Sequence, residues 1–232
     1  MIQTPKIYTA IDTDNLDRAI TLTREIGSIT GGIKLGMEFI NTFGPQGIQK
    51  IIEACPKAEI FIDLKFHDIP HTVGKAIKTL TETFKPSYIN IHAAGGLEMM
   101  QIAKNHCAVD SKLLAVTILT SMNQAEMNNV GYQENIRAQV LKMALLAQKA
   151  GCDGVVCSAH EIEALRDVCG NDFILMVPGI RPAGSNQDDQ KRTMTPNEAF
   201  AKGATHIVIG RPITNAKNPA QAATNILKNL SA

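Results

Sequence analysis

Glu59-Ile60-Phe61-Ile62-Asp63-Leu64-Lys65-Phe66-His67-Asp68-Ile69-Pro70-His71-Thr72 decides how the rest of the chain is read. It opens as an apolar strand, Ile60-Phe61-Ile62, and then delivers Asp63, Lys65 and Asp68 in quick succession. Side chains alternate along a strand, so Asp63 and Lys65 are expected on one face. A carboxylate and an ammonium at the end of a buried strand are costly unless they pair. Two readings follow: a structural ion pair closing the strand, or part of a charged active centre, since ion-pair networks occur in both settings. The remainder of the chain distinguishes them.

Working outward, the same strand-then-helix rhythm repeats on both sides. Upstream, Ile7–Ile11 reads as a strand ending at Asp12. A helix follows with Leu16, Ala19, Ile20, Thr23 and Ile26 on one face, for which Gly27 offers a stop. Gly32–Gly36 is a short strand with Lys34 in its middle, and the next helix carries Ile48, Ile51 and Ile52. Downstream, Pro70 opens a helix, being well tolerated in a first turn. Tyr88–His92 is the fourth strand and Lys112–Leu119 the fifth. A helix over 132–150 follows, with Gly151 just beyond it. Strands at 154–157, 173–177 and 206–209 complete the series, interleaved with helices around Ile162–Val168, Ala199-Phe200 and Ala223–Leu230.

Eight near-continuous apolar strands, each followed by a helix, predict an α/β fold: an eight-stranded parallel (β/α)8 TIM barrel. Parallel strands covered on both faces account for runs that do not alternate sharply. A doubly wound open sheet is the alternative, but no Gly-x-Gly-x-x-Gly follows the first strand. No linker or low-complexity stretch divides residues 1–232, so one barrel domain is expected.

Composition narrows the function classes. The chain has 232 residues, 44% of them hydrophobic, and a formal net charge of +1. That balance gives no reason to expect nucleic acid or an anionic membrane as partner. With no Trp and only three Tyr, a base-stacking surface is not expected either. The five cysteines are odd in number and form no Cys-x-x-Cys, which fits reduced thiols rather than a disulfide framework. The N-terminal residues lack a secretory hydrophobic stretch, and no segment approaches membrane-spanning length, so a cytoplasmic location is expected.

Active sites of such barrels lie at the strand C-termini. The polar residues found there are Asp12, Lys34, Asp63, Lys65, Asp68, His92, Thr120, Ser121, Arg181 and Arg211. Convergence of charge from several strands on one mouth favours the active-centre reading over an isolated structural pair. Gly179-Ile180-Arg181 and Gly210-Arg211 end the seventh and eighth strands, where barrels frequently hold phosphate. Backbone N–H groups and forked guanidinium donors suit phosphate oxygens there. The long polar stretch Arg181–Thr195 is placed to act as a closing lid, with Gln190 reaching ligand polar groups.

His67-Asp68-Ile69-Pro70-His71 imitates the spacing of a zinc-protease helix, with Asp in place of Glu. Pro70 stands between the histidines where strand passes into helix, so a shared helical face, and hence a metal site, is not expected.

Together these residues resemble one family. Asp63-x-Lys65-x-x-Asp68-Ile69-x-x-Thr72 is similar to the signature of the orotidine 5′-monophosphate decarboxylases. So, in order and spacing, are Ala10-Ile11-Asp12, Lys34-Leu35-Gly36, Leu119-Thr120-Ser121-Met122, Pro178-Gly179-Ile180-Arg181, Asp189-Gln190-Lys191-Arg192 and Ile209-Gly210-Arg211-Pro212. Ile11 departs from the Leu of many members, a volume-conserving change.

The resemblance implies a homodimeric barrel that converts orotidine 5′-monophosphate to UMP and carbon dioxide without metal or organic cofactor. Lys65 is then the proton donor to C6, and Asp63 lies beside the substrate carboxylate. Lys34 joins the acidic network and contacts ribose, while Asp68 enters the site from the partner subunit. The resemblance further implies ribose contacts from Asp12 and Thr72, with Ile69 and Pro178 in the binding site, and a pyrimidine contact from Thr120 or Ser121. Gly210 and Arg211, with Gln190 and Arg181, hold the phosphate and the lid.

Three rivals are weighed against this. Sugar-phosphate relatives resemble one another in placing an acidic ligand for Mg²⁺ where this chain has Lys34, and a lysine repels a divalent cation. A Schiff-base aldolase would use Lys65 as a free amine, which its flanking carboxylates oppose by favouring the ammonium. A catalytically silent nucleotide-phosphate binder would have no need of the full charged set.

Overall fold

In a computed structural model, which describes residues 6–182 and 194–230, eight parallel strands close into a barrel in chain order. They are β1 (Lys6–Ile11), β2 (Gly31–Leu35), β3 (Glu59–Phe66), β4 (Tyr88–His92), β5 (Lys112–Val116), β6 (Gly154–Val156), β7 (Ile174–Val177) and β8 (His206–Ile209), with β8 pairing back onto β1. The expected (β/α)8 barrel is therefore the observed fold.

Around it run α1 (Leu16–Thr30), α2 (Met37–Ala54), α3 (Pro70–Phe84), α4 (Gly96–His106), α5 (Gln124–Asn129), α6 (Ile136–Lys149), α7 (Ile162–Cys169), α8 (Pro196–Ala201), α9 (Arg211–Thr214) and α10 (Pro219–Leu230). No helix among the described residues is long and apolar enough to cross a membrane.

Strand alternation sorts the core into two clusters. Tyr8, Ala10, Phe61, Tyr88, Leu114, Val116, Val156, Met176 and Val208 pack together inside the barrel. Their neighbours in sequence, such as Ile7, Ile62, Ile89, Leu113 and Ile207, join the larger cluster under the helices. Both faces of the sheet are thus apolar, which is why the strands read as continuous runs. Gly32 lies two residues before Lys34, and a Cβ there would stand 2.3 Å from the Tyr8 ring. The position is left bare so that Tyr8 can fill the barrel floor.

Local sequence corrects several expected boundaries. Helix α1 does not stop at Gly27; it continues to Thr30 and ends where Gly31 takes the left-handed conformation, φ 96°. Gly27 is instead a close-packing position, where an added Cβ would meet Cys55 Sγ at 3.1 Å. Strand β5 ends at Val116 rather than Leu119; Val116 is the last residue it pairs on either side, opposite His92 of β4 and Val156 of β6. The helix expected over 132–150 begins at Ile136, capped by the Asn135 side chain on the Ala138 N–H. The short helices α5 and α9 were not anticipated; α5 is set by a capping box between Asn123 and Glu126. Pro70 does open α3, as expected.

Candidate active site

The inward residues of the barrel step upward in twos, and at the mouth the apolar series gives way to charge. Above Ala10 comes Asp12, and above Phe61 comes Asp63; Lys34 pairs with Ala10 on one side and Phe61 on the other. A cavity of about 560 Å³ opens at this level. Its wall includes Asp12, Lys34, Asp63, Lys65, Thr120 and Ser121, and it also includes Pro178, Arg181, Gly210 and Arg211. Residues from the ends of seven strands and the loops after them thus meet in one cavity.

One side of the cavity is a chain of alternating charges. Lys34 Nζ lies 3.3 Å from Asp12 Oδ1 and 3.3 Å from Asp63 Oδ2. The other oxygen of Asp63, Oδ1, is 2.7 Å from Lys65 Nζ. Burial works against the Lys34 ammonium, but the carboxylates of Asp63 and then Asp12 outweigh it, so its pKa is raised above the ordinary lysine value. Burial likewise works against the Asp63 carboxylate. Lys34, Lys65 and a hydrogen bond from Asn90 outweigh that, and the pKa of Asp63 is lowered. Both groups are therefore charged at neutral pH.

Gly36 gives this chain its room. A Cβ there would stand 2.6 Å from Asp12 Oδ1 and 2.9 Å from Lys34 Nζ.

Asp63 and Lys65 meet on one side as expected, but not through strand alternation. Ile62 pairs with Ile89 while Phe66 pairs with Ile91, so β3 carries extra residues opposite β4. Lys65 absorbs the irregularity with φ 53°, a left-handed conformation uncommon for a lysine. Its backbone N–H donates to Asn90 Oδ1 at 2.8 Å, and Asn90 Nδ2 donates to Asp63 Oδ1 at 2.7 Å. Asn90 was not among the expected site residues. The signal for it was present: a lone amide midway along the apolar run Tyr88–His92, at the inward parity shared by Tyr88.

The cavity wall also carries Arg181, Gly210 and Arg211. Arg181 is buried and Arg211 is exposed at the mouth. The ends of the expected lid meet each other: Ile180 bridges Met194, and the Arg181 N–H donates to the Met194 carbonyl at 3.0 Å. Gln190 lies outside the described residues.

Asp68, Ile69 and Thr72 do not reach the cavity of their own chain. All three are exposed, Ile69 at 67%, and Asp68 Oδ1 accepts the Ile69 N–H at 2.6 Å. His67 precedes α3 and stacks on His92, rings 5.4 Å apart at 22°, while His71 lies inside the helix. The two histidines of the protease-like motif thus occupy different elements. Among the described residues no three His, Cys, Asp or Glu side chains converge as metal ligands.

Comparison with known proteins accords with this arrangement. The chain is 41% identical over 231 residues to Orotidine 5′-phosphate decarboxylase of Legionella pneumophila, covering 98% of this chain and 100% of that protein. It is 44% identical over 230 residues to the protein of the same name in Nitrosococcus oceani, covering 97% of each. A crystal structure of Orotidine 5′-phosphate decarboxylase from Lactobacillus acidophilus superposes with a TM-score of 0.85 at 34% identity, covering 98% of this chain and 99% of that one. The family model described as Orotidine 5′-phosphate decarboxylase / HUMPS matches residues 5–226. The chain belongs to the orotidine 5′-phosphate decarboxylase / HUMPS family.

Proposed function

We propose that this protein decarboxylates orotidine 5′-monophosphate to UMP and carbon dioxide, a step of pyrimidine nucleotide synthesis. The observation that carries the reading is the Lys65–Asp63–Lys34 chain in a cavity that is also lined by Arg181, Gly210 and Arg211. An anionic group bound by the arginines leaves the far end of the ligand facing the carboxylate and ammonium of β3.

Loss of carbon dioxide leaves the bonding electron pair on C6. Catalysis therefore requires a site that stabilises charge at that carbon better than it stabilises the bound carboxylate. Lys65 supplies positive charge there, and its Nζ–H passes to C6 as the C6–carboxylate bond breaks. Asp63 pairs with Lys65 and directs its ammonium, the two atoms being 2.7 Å apart. Asp63 also sets a fixed negative charge near the departing carboxylate, an arrangement relieved as neutral carbon dioxide forms.

Lys34 holds Asp63 ionised from the other side and, with Asp12, faces the ribose. Thr120 or Ser121 contacts the pyrimidine, beside Pro178. Arg211, Gly210 and Arg181 take the phosphate, whose binding energy orients the ring at the reacting end. Gln190 completes the phosphate end from the loop.

Asp68, Ile69 and Thr72, exposed on one chain, serve the site of a second copy, which makes the working unit a homodimer. No metal or organic cofactor is required. The Lys34 ammonium stands between the two carboxylates, 3.3 Å from each, where a divalent cation would otherwise find its ligands. That opposes the Mg²⁺-dependent chemistry of the sugar-phosphate relatives. A cytoplasmic location fits the five free cysteines. The test is direct: carbon dioxide release from orotidine 5′-monophosphate in the presence of EDTA supports the reading, and chelator-sensitive turnover of a sugar phosphate instead overturns it.

A further inference from the structure

The paired residues Asp63 and Lys65 are bridged by a side chain that belongs to no motif. Asn90 sits midway along β4, fully buried, level with Leu114 on β5. An amide in such a wall is costly unless both of its ends find partners. Both ends do, and only one orientation of the amide allows it. Turned over, its oxygen would face the Asp63 carboxylate and its NH₂ would face the Lys65 N–H.

The need for Asn90 arises in the β3 backbone. Between the Ile62–Ile89 and Phe66–Ile91 pairs, β3 has Asp63, Leu64 and Lys65 where β4 has Asn90 alone. Lys65 takes φ 53°, a left-handed conformation that is strained for a non-glycine residue. Its N–H receives its acceptor from the Asn90 side chain, 2.8 Å away. The same amide grips Asp63 Oδ1, the very oxygen that holds Lys65 Nζ. One side chain thereby fixes the lysine at its backbone and, through the carboxylate, at its ammonium.

We propose that Asn90 is a positioning residue for the decarboxylation, aiming the Lys65 ammonium at C6 by bridging the Lys65 N–H and the Asp63 carboxylate. It does not line the cavity, so it acts only through those two residues. The proposal rests on the reading of Lys65 as proton donor. It differs from simple barrel packing in what it predicts: the reaction suffers while the ribose and phosphate end of the site does not.

Asn90→Ala removes both hydrogen bonds. Asn90→Asp keeps an acceptor for the Lys65 N–H but sets a second carboxylate against Asp63. For each variant, kcat on orotidine 5′-monophosphate is compared with the Kd of UMP, which retains ribose and phosphate but not the carboxylate that leaves. The expected result is a kcat about a hundredfold lower, the scale of a misplaced reacting group. UMP affinity is expected to stay within about threefold of wild type, with Asn90→Asp the slower enzyme. A kcat within about threefold of wild type in both variants overturns the proposal. So does a parallel loss of kcat and UMP binding, down to no binding at all, since that is the mark of a structural role. Failure of the wild-type protein to release carbon dioxide would instead overturn the function proposed above, and so is told apart.

Discussion

Lys34 Nζ lies 3.3 Å from Asp63 Oδ2 across the β2–β3 pair, although Lys34 stands level with Phe61 and not with Asp63. The long lysine side chain climbs the barrel wall to reach a carboxylate two residues higher. Both groups are largely buried, with side-chain exposures of 10% and 12%. The barrel thus holds a charge pair in which each member helps to keep the other ionised, together with Asp12 and Lys65 on either side.

Removing one member exposes the dependence. In Lys34→Met, Asp63 keeps Lys65 but loses its second cation, and loss of a buried partner costs about 3–5 kcal/mol. The pH dependence has a definite sign. The lowered pKa of Asp63 gives stability that is present above its unfolded value of about 3.9 and lost as pH falls through the folded value. The raised pKa of Lys34 gives stability that is present below about 10.4 and lost as pH rises through its folded value. Urea unfolding from pH 3 to pH 11 should show a wild-type advantage that is flat between about pH 5 and 9 and shrinks on both sides. An advantage that does not vary with pH would contradict it.

Gly36→Ala tests the alternating charges without removing any of them. The backbone there, φ −93° and ψ −175°, accepts alanine, so the effect is steric. The new methyl would press on Asp12 Oδ1 and Lys34 Nζ, both at the ends of movable side chains. The expected outcome is turnover reduced by about tenfold or more with a thermal midpoint lowered by only a few degrees. Unchanged kcat would show that the placement of Lys34 and Asp12 does not matter to the reaction.

The exposed trio Asp68, Ile69 and Thr72 predicts that the two halves of a site can be supplied by different chains. Lys65→Ala and Asp68→Ala proteins should each be inactive alone. Unfolded together in equal amounts and refolded, they should regain about a quarter of wild-type activity, since half the dimers are mixed and each mixed dimer carries one intact site. No recovery, with dimers formed, would place Asp68 in the service of its own subunit.

Much of this is legible in the sequence. Strand count, the parallel barrel and the mouth position of Asp12, Lys34, Asp63, Lys65, Arg181 and Arg211 follow from periodicity and from where each apolar run stops. Less legible were features that depend on a neighbouring strand. Nothing in Glu59–Phe66 alone announces that Lys65 leaves the regular pleat, because the register shift is a relation between β3 and β4. The role of Asn90 is illegible for the same reason: it exists only once Asp63 and Lys65 stand beside it. Gly27 misleads because a glycine near a helix end reads as a stop, whereas here Cys55 and Ala58 pack close against it. The exposure of Asp68 was foreshadowed only by family likeness, since a single chain's spacing carries no record of a second copy.

The central claim is that Lys65 delivers the proton that replaces carbon dioxide at C6 in a site needing no metal. It is tested most directly by following the loss of orotidine 5′-monophosphate absorbance with and without EDTA, for the wild-type protein and for Lys65→Ala. The account predicts equal wild-type rates in both conditions and no measurable turnover by Lys65→Ala, with the variant still folded by circular dichroism. Near-normal decarboxylation by Lys65→Ala, or wild-type activity abolished by the chelator, would contradict it.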